Sequence, residues 1–217
     1  MSDMTIPEVV AMEVDHLARK LGEGPDFVTS HAVVKTPVKL SVVIPYMQVD
    51  GEKPRILQDT LSSFTGADEI IVVVNWKGGY AKPINEGLGL AKGDFLLVMN
   101  DDLDWGKAHL KRLCDETAVT SPCVNGKMQS FWGCAFCIPR WVYEKVGGLY
   151  EGYRISYFDD ADYYNKLTQH NVPTLCKAEV NVTTVGGRTL ERFPDRNDFF
   201  EENHRHFLER WRKEPEF

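Results

Sequence analysis

Two acidic clusters carry the side chains best suited to chemistry. Asn100-Asp101-Asp102-Leu103-Asp104-Trp105 follows directly on the apolar run Phe95 to Met99, and Asp159, Asp160 and Asp162 follow Tyr157-Phe158. Carboxylates in such clusters either hold a hard divalent cation through oxygen or take a proton from a reacting hydroxyl. In an extended chain Asn100 and Asp102 share a face and Asp101 points away, so Asp102 is the candidate cation ligand and Asp101 the contact to another polar group of the same ligand. An Mg²⁺-like ion needs only one or two protein carboxylates when phosphate oxygens complete its shell. The alternative for the first cluster is a solvated turn, since Asp and Asn are ordinary turn residues. A calcium loop is excluded: the pattern begun at Asn100 puts Trp105 where glycine is required and Lys111 where the bidentate glutamate belongs. For the second cluster the alternative is helix capping and dipole complementation, a role that fits Asp162 best.

The surrounding pattern explains how such residues would be positioned. Leu40 to Tyr46 and Glu69 to Trp76 are β-branched runs of the kind buried on both faces of a parallel sheet, and FLLVM supplies a third strand. Ile56, Leu57, Leu61 and Phe64 give the intervening segment a helical period, and a second crossover helix is predicted over Pro83–Lys92. Later segments predict a helix near Ala108–Thr120, a strand in SFWGCAFCIP, a short helix in RWVYEKVGG, and a helix opened by the acidic trio. A docked C-terminal helix would bury Phe200, His204, Phe207, Leu208 and Trp211. Residues 1–36 have no clear place in the sheet. In an open parallel sheet ligands bind beyond the carboxyl ends of the strands, where Asn100–Asp104 falls.

Composition narrows the function classes. A chain of 217 residues, 43% hydrophobic, can build one sizeable core without disulfides. The net charge of −7 without a long basic block argues against generic nucleic-acid or anionic-membrane binding. No transmembrane run and no signal-peptide pattern are visible, and five cysteines are an odd number, so a cytoplasmic location is expected. Trp132 with Cys134-x-x-Cys137 suggests a redox motif, but Pro139 follows and the intervening residues suit a strand. The two thiols would point to opposite strand faces as small buried hydrophobes.

SVVIPY, IIVVVN, GYAKPINEGLGLAKGDFLLVMNDD, GCAFCIPRWVYEKVGGLYE and YFDDADYYNKL, in that order over residues 38–190, resemble the landmarks of a family 2 glycosyltransferase. The resemblance implies a GT-A type α/β fold, with a Rossmann-like, mostly parallel central sheet flanked by helices and a smaller acceptor-side subregion. It divides the chain into an extension (1–36), a catalytic domain (37–190, its nucleotide-sugar half 37–105 and acceptor half 106–190) and a docked C-terminal helix (191–217). The implied partners are a nucleoside-diphosphate sugar and an acceptor that is a glycan, lipid carrier, protein or modified base, with Mn²⁺ or Mg²⁺ as cofactor. Pro45 and Tyr46 would line the nucleotide pocket, Asn75 would stand where an acidic residue is common, and Lys82, Asn85 and Gly87 would belong to the helix that closes on the donor. Asp102 would hold the metal, Asp101 would contact ribose or sugar, and Gly133 would allow close approach of substrate beside Trp132, an acceptor platform.

Asp160, or else Asp159, would be the general base of an inverting transfer. Thr184 stands where many relatives carry a histidine; His204, Arg188 or Arg192 are the candidates to replace it, with a packed role favoured for His204. The competing functions are a metal-dependent nucleotidyltransferase and a non-catalytic nucleotide-sugar-binding module.

Overall fold

A computed structural model of the chain describes residues 29–35, 40–46, 55–75, 79–184 and 195–215. In chain order its elements are β1 (Thr29–Lys35), β2 (Leu40–Tyr46), α1 (Arg55–Ser62), β3 (Phe64–Thr65), β4 (Glu69–Asn75), α2 (Ala81–Leu90) and β5 (Phe95–Met99). There follow β6 (Ala108–His109), a 3-10 turn (Leu110–Leu113), β7 (Val119–Val124), β8 (Ala135–Pro139), α3 (Arg140–Val146), α4 (Asp159–Gln169), β9 (Thr174–Val182) and α5 (Arg196–Trp211).

Seven strands form one sheet in the order β1-β4-β2-β5-β8-β7-β9, and β3 pairs with β6 in a separate ribbon. The centre, β4-β2-β5, is parallel, as its unbroken apolar sequences require: side chains of both parities are buried, because helices or loops cover both faces. Alternate residues of each strand enter different cores. Val42, Ile44, Ile70, Val72, Leu97 and Met99 meet Leu57, Leu61 and Trp105 on one side. Val43, Ile71, Val73, Leu96 and Val98 meet Ile84 and Leu88 of α2 on the other. Gly87 belongs to that packing: a Cβ there would lie 2.4 Å from Val43 Cγ1, so glycine lets α2 sit directly on the sheet.

β8 enters antiparallel beside β5, with Met99 opposite Ala135 and Phe95 opposite Pro139. This pairing carries the chain after β8 back to the starting ends of the strands, where the Arg140 guanidinium binds the carbonyls of Ala91 and Gly93. The remaining half of the sheet is thereby attached rigidly to the parallel half.

Three expectations change. Thr29–Lys35 does have a place in the sheet, antiparallel to β4 along its whole length. The segment 108–120 is not a long helix but a bridge, one 3-10 turn and the start of β7. Cys134 lies in the turn ahead of β8 and packs against the same core as Cys137, so the two thiols are not on opposite faces; all five cysteines are free.

Candidate functional site

At the carboxyl end of β5 the Asn100 N–H donates to the Cys134 carbonyl (2.9 Å), and the chain then turns at Asp101 and Asp102. The turn is fixed from below. Thr60 Oγ1 donates to the Asp101 carbonyl (2.6 Å), the Trp105 N–H donates to Ser63 Oγ (3.1 Å), and the Trp105 ring is 1% exposed. Asp104 exchanges two backbone hydrogen bonds with Thr183 (2.9 Å each), which brings the end of β9 alongside. Thr184 Oγ1 accordingly donates to Asp102 Oδ2 at 3.4 Å, and the Asn125 amide clamps the Thr184 backbone from both sides. The acidic cluster is thus a turn after all, but one held on several sides with its Asp102 carboxylate beside a second hard oxygen.

The second cluster opens α4. Phe158 at its N-cap is left-handed (φ 70°), and Ile155 and Tyr157 also have positive φ, a conformation that costs non-glycine residues about 1–2 kcal/mol each. Asn203 of α5 holds this loop: its amide accepts from Arg154 N–H and donates to the Arg154 and Ser156 carbonyls. Asp159 is 3% exposed, and burial together with the neighbouring Asp160 raises its pKa well above the ordinary carboxylate value. Burial also raises Asp160, which nevertheless remains only half-buried. Asp162 is structural, as its position suggested, but not as a cap. Fully buried, its Oδ2 accepts from Tyr153 Oη (3.0 Å), Arg210 Nε (2.7 Å) and Trp211 Nε1 (2.6 Å), tying α5 to α4.

Gly133 joins the two clusters. A Cβ on Gly133 would fall 2.4 Å from Asp160 Oδ2 and 2.5 Å from Asp160 Cβ, so the carboxylate rests directly on the glycine backbone. The Gly133 carbonyl accepts a hydrogen bond from Tyr80 Oη, whose oxygen also lies 3.2 Å from Asn100 Oδ1. Tyr80 lies within the GYAKPINEGLG landmark but was given no role; an aromatic residue between two glycines and a helix start was the signal it offered. Its phenol is driven far above the usual pKa by burial, then by Cys134 and the charges of Asp160, Asp159 and Asp102, so it is a neutral hydroxyl among acids. Cys134 is pushed up to about 12 by burial and by Asp102, which keeps it a thiol.

The other candidates distribute unevenly. Pro45 and Tyr46 close β2 at the same edge of the sheet as Asn100, and the Asn75 backbone ends β4 beside them. Lys82 is exposed on the first turn of α2. Asn85 is engaged internally: its amide accepts from Leu149 N–H and donates to the Leu149 carbonyl and Glu151, each at 2.8 Å. Trp132 is half-buried against the core. His204 stacks on Phe158 (5.3 Å between centroids) and pairs with Glu214 at 2.9 Å, a packed role as expected. Arg188 and Arg192 lie outside the described residues.

A cleft of about 600 Å³ lies beside Asp102 and Thr184, bounded by Thr60, Ser63, Asp104 and Lys107. Among the described residues no three His, Cys, Asp or Glu side chains converge as a protein-only metal cage. Asp102 and Thr184 are hard oxygen donors of the kind that fit a cation whose shell is completed by phosphate and water. Among the described residues no helix is long and apolar enough to cross a membrane.

No protein-family model matches the chain, and no curated protein does. Solved structures do. A mannosyltransferase from Pyrobaculum calidifontis in complex with GDP-Man and Mn²⁺ superposes with a TM-score of 0.57 at 14% identity, over 95% of this chain and 73% of that one. The catalytic domain of Drosophila β1,4-galactosyltransferase 7, in complex with xylobiose, gives 0.52 at 12% identity over 75% of this chain and 79% of that one. GalNAc-T7 with UDP, GalNAc and Mn²⁺ gives 0.56 at 13% identity over 68% of this chain and 43% of that one. The mixed sheet, its flanking helices and these likenesses agree: the chain has the GT-A type fold of glycosyltransferases.

Proposed function

We propose that the protein is a metal-dependent glycosyltransferase that moves a sugar from a nucleoside-diphosphate sugar to an acceptor hydroxyl with inversion. The observation that carries this reading is the join between the clusters. Asp160 rests on Gly133, and Gly133 is linked through Tyr80 to Asn100, two residues from Asp102. A carboxylate able to accept a proton is thereby held next to the strand end that carries a cation ligand.

The two ends divide the work. Pro45 closes β2 on the nucleotide side of the sheet, with the end of β4 at Asn75 beside it, while the Tyr46 ring, 5% exposed, packs in the core beneath; Lys82 supplies positive charge at the start of α2, and Asp101 contacts ribose or sugar. Asp102, assisted by Thr184, would hold the divalent cation, which when bound offsets the charge developing on the leaving diphosphate. An acceptor hydroxyl is a poor nucleophile until a base takes its proton. Asp160, half-buried with one oxygen accepting the Ala161 N–H at 2.9 Å, is that base. Its raised pKa makes it a stronger proton acceptor than an exposed carboxylate. Asp159, 3% exposed, has its pKa raised by burial and by Asp160, which disfavours a second negative charge beside the base.

The test is a panel of UDP-, GDP- and dTDP-sugars with Mn²⁺ or Mg²⁺, followed by NMR of the anomeric configuration of the product. The reading predicts metal-dependent release of a nucleoside diphosphate and an inverted anomeric centre. Release of pyrophosphate instead would identify a nucleotidyltransferase, and metal-dependent nucleotide binding without turnover of any donor or acceptor a binding module. A retained configuration would remove Asp160 from the role of base.

A further inference from the structure

Tyr80 is used by none of the steps above, yet it stands where they meet. It precedes α2, the element that carries Lys82, and its hydroxyl reaches two other segments: the Asn100 amide at the end of β5 and the Gly133 carbonyl ahead of β8. The phenol has a single proton to donate. Two acceptors face that proton, the Gly133 carbonyl and Asn100 Oδ1 at 3.2 Å, and the carbonyl is the nearer.

The flanks of this turn are held by Ala135 N–H to the Trp132 carbonyl (3.2 Å) and Trp132 N–H to Ser121 Oγ (3.0 Å), whereas the Gly133 carbonyl is held by Tyr80. β5 and β8 are in register up to Met99 opposite Ala135, and the last backbone bond between them runs from Asn100 N–H to the Cys134 carbonyl. Gly133 lies one residue beyond that bond, in a turn, and the Asp160 side chain rests on it. The height of the Gly133 peptide therefore sets how far Asp160 reaches toward the strand end, and Tyr80 Oη is the group that pins this peptide. Burial first, then Cys134 and the charges of Asp160, Asp159 and Asp102, oppose ionisation of the hydroxyl.

We infer that Tyr80 is a positioning residue that fixes the Gly133 turn, and through it Asp160, relative to the Asn100–Asp102 strand end. The inference rests on the transferase reading and on Asp160 as its base. Tyr80→Phe keeps the ring and removes only the hydroxyl with its contacts to Gly133 and Asn100.

The experiment is steady-state turnover of the active donor with Mn²⁺, together with Mn²⁺-nucleotide affinity, for wild type, Tyr80→Phe, Gly133→Ala and the double variant. Expected is a kcat at least tenfold below wild type in Tyr80→Phe, with donor KM and nucleotide Kd within threefold. In the Gly133→Ala background, where the carboxylate is already displaced, the second substitution should cost less than threefold, because both act through one contact. If the hydroxyl only braced the fold, its removal would lower the melting temperature, raise KM as kcat falls, and add its loss in full to that of Gly133→Ala. That pattern, or a Tyr80→Phe kcat equal to wild type, overturns the inference alone. A wild type without turnover of any donor overturns the transferase reading and this inference with it.

Discussion

Gly133→Ala tests the join between the two clusters with one methyl group. The φ of Gly133 lies outside the left-handed region, so alanine brings no backbone strain of its own. The conflict is with Asp160: the new Cβ would lie 2.5 Å from its Cβ, 2.8 Å from its Cγ and 2.4 Å from Oδ2. Carbon atoms at optimal separation stand about 3.5–4.0 Å apart, so the carboxylate, including its rigid Cβ, must withdraw by about 1 Å. A misplacement of that size costs about 100-fold in rate, or about 2.7 kcal/mol of barrier. The three atoms nearest the new Cβ all belong to Asp160, so Mn²⁺-nucleotide binding should stay within twofold. The assay is nucleoside diphosphate release from the active donor, read beside calorimetric titration of the nucleotide with Mn²⁺. Turnover within twofold of wild type would refute the placement of Asp160 at the reacting atoms, and loss of nucleotide binding in parallel would show that Gly133 serves the donor instead.

Four further outcomes follow. Asp160→Asn should lower kcat by about 10²–10⁴, the usual worth of a positioned base, while donor KM changes little. Because the Asp160 pKa is raised, the acid limb of the wild-type kcat profile should lie above the ordinary carboxylate range, with activity lost as pH falls through it. Asp159→Asn should raise stability at pH 8 by about 1–3 kcal/mol, the scale of burying a polar group. The sign follows from a folded pKa above the unfolded one: wild-type stability falls as pH rises from the unfolded value to the folded value, so urea midpoints of the two proteins should converge toward pH 4. Asp162→Ala should cost about 1–3 kcal/mol, because it leaves the Trp211 and Tyr153 donors without their acceptor while the solvent-exposed Arg210 can turn to water; a urea midpoint unchanged from wild type would contradict it.

What could be read from the sequence divides along physical lines. β2, β4 and β5 were legible because a parallel strand covered on both faces must be apolar at every position. β7 was not, because both of its faces are buried yet polar residues stand on each: Thr120 and Ser121 are fully buried, and Pro122 sits at the register shift where the pairing with β9 breaks. The helix read into 108–120 failed for the converse reason. Leu110 and Leu113 have helical spacing, but Lys111 is drawn to Asp68 and the chain leaves after one 3-10 turn. α5 was foreseen, yet its buried stripe runs through Phe199, Asn203 and Phe207, with Phe200 39% exposed; a polar residue at the centre of the stripe hid it from an apolar count.

The same holds for the site. Asp102, Asp159 and Asp160 stood out as clustered acids, whereas Tyr80 acts through a backbone carbonyl distant in sequence, and spacing gives no hint of that. Asn85 shows what spacing cannot foretell, since its amide hydrogen-bonds Leu149 in a loop distant in sequence.

The account stands most directly on a separation of roles between Asp102 and Asp160, and one paired measurement tests it. Mn²⁺-dependent nucleotide affinity and donor turnover should be measured together on wild type, Asp102→Ala and Asp160→Asn. Asp102→Ala is predicted to lose both the metal dependence of binding and the turnover, and Asp160→Asn to lose turnover alone. Metal-dependent binding that survives intact in Asp102→Ala would contradict the account and leave Asn100–Asp104 a turn without a ligand.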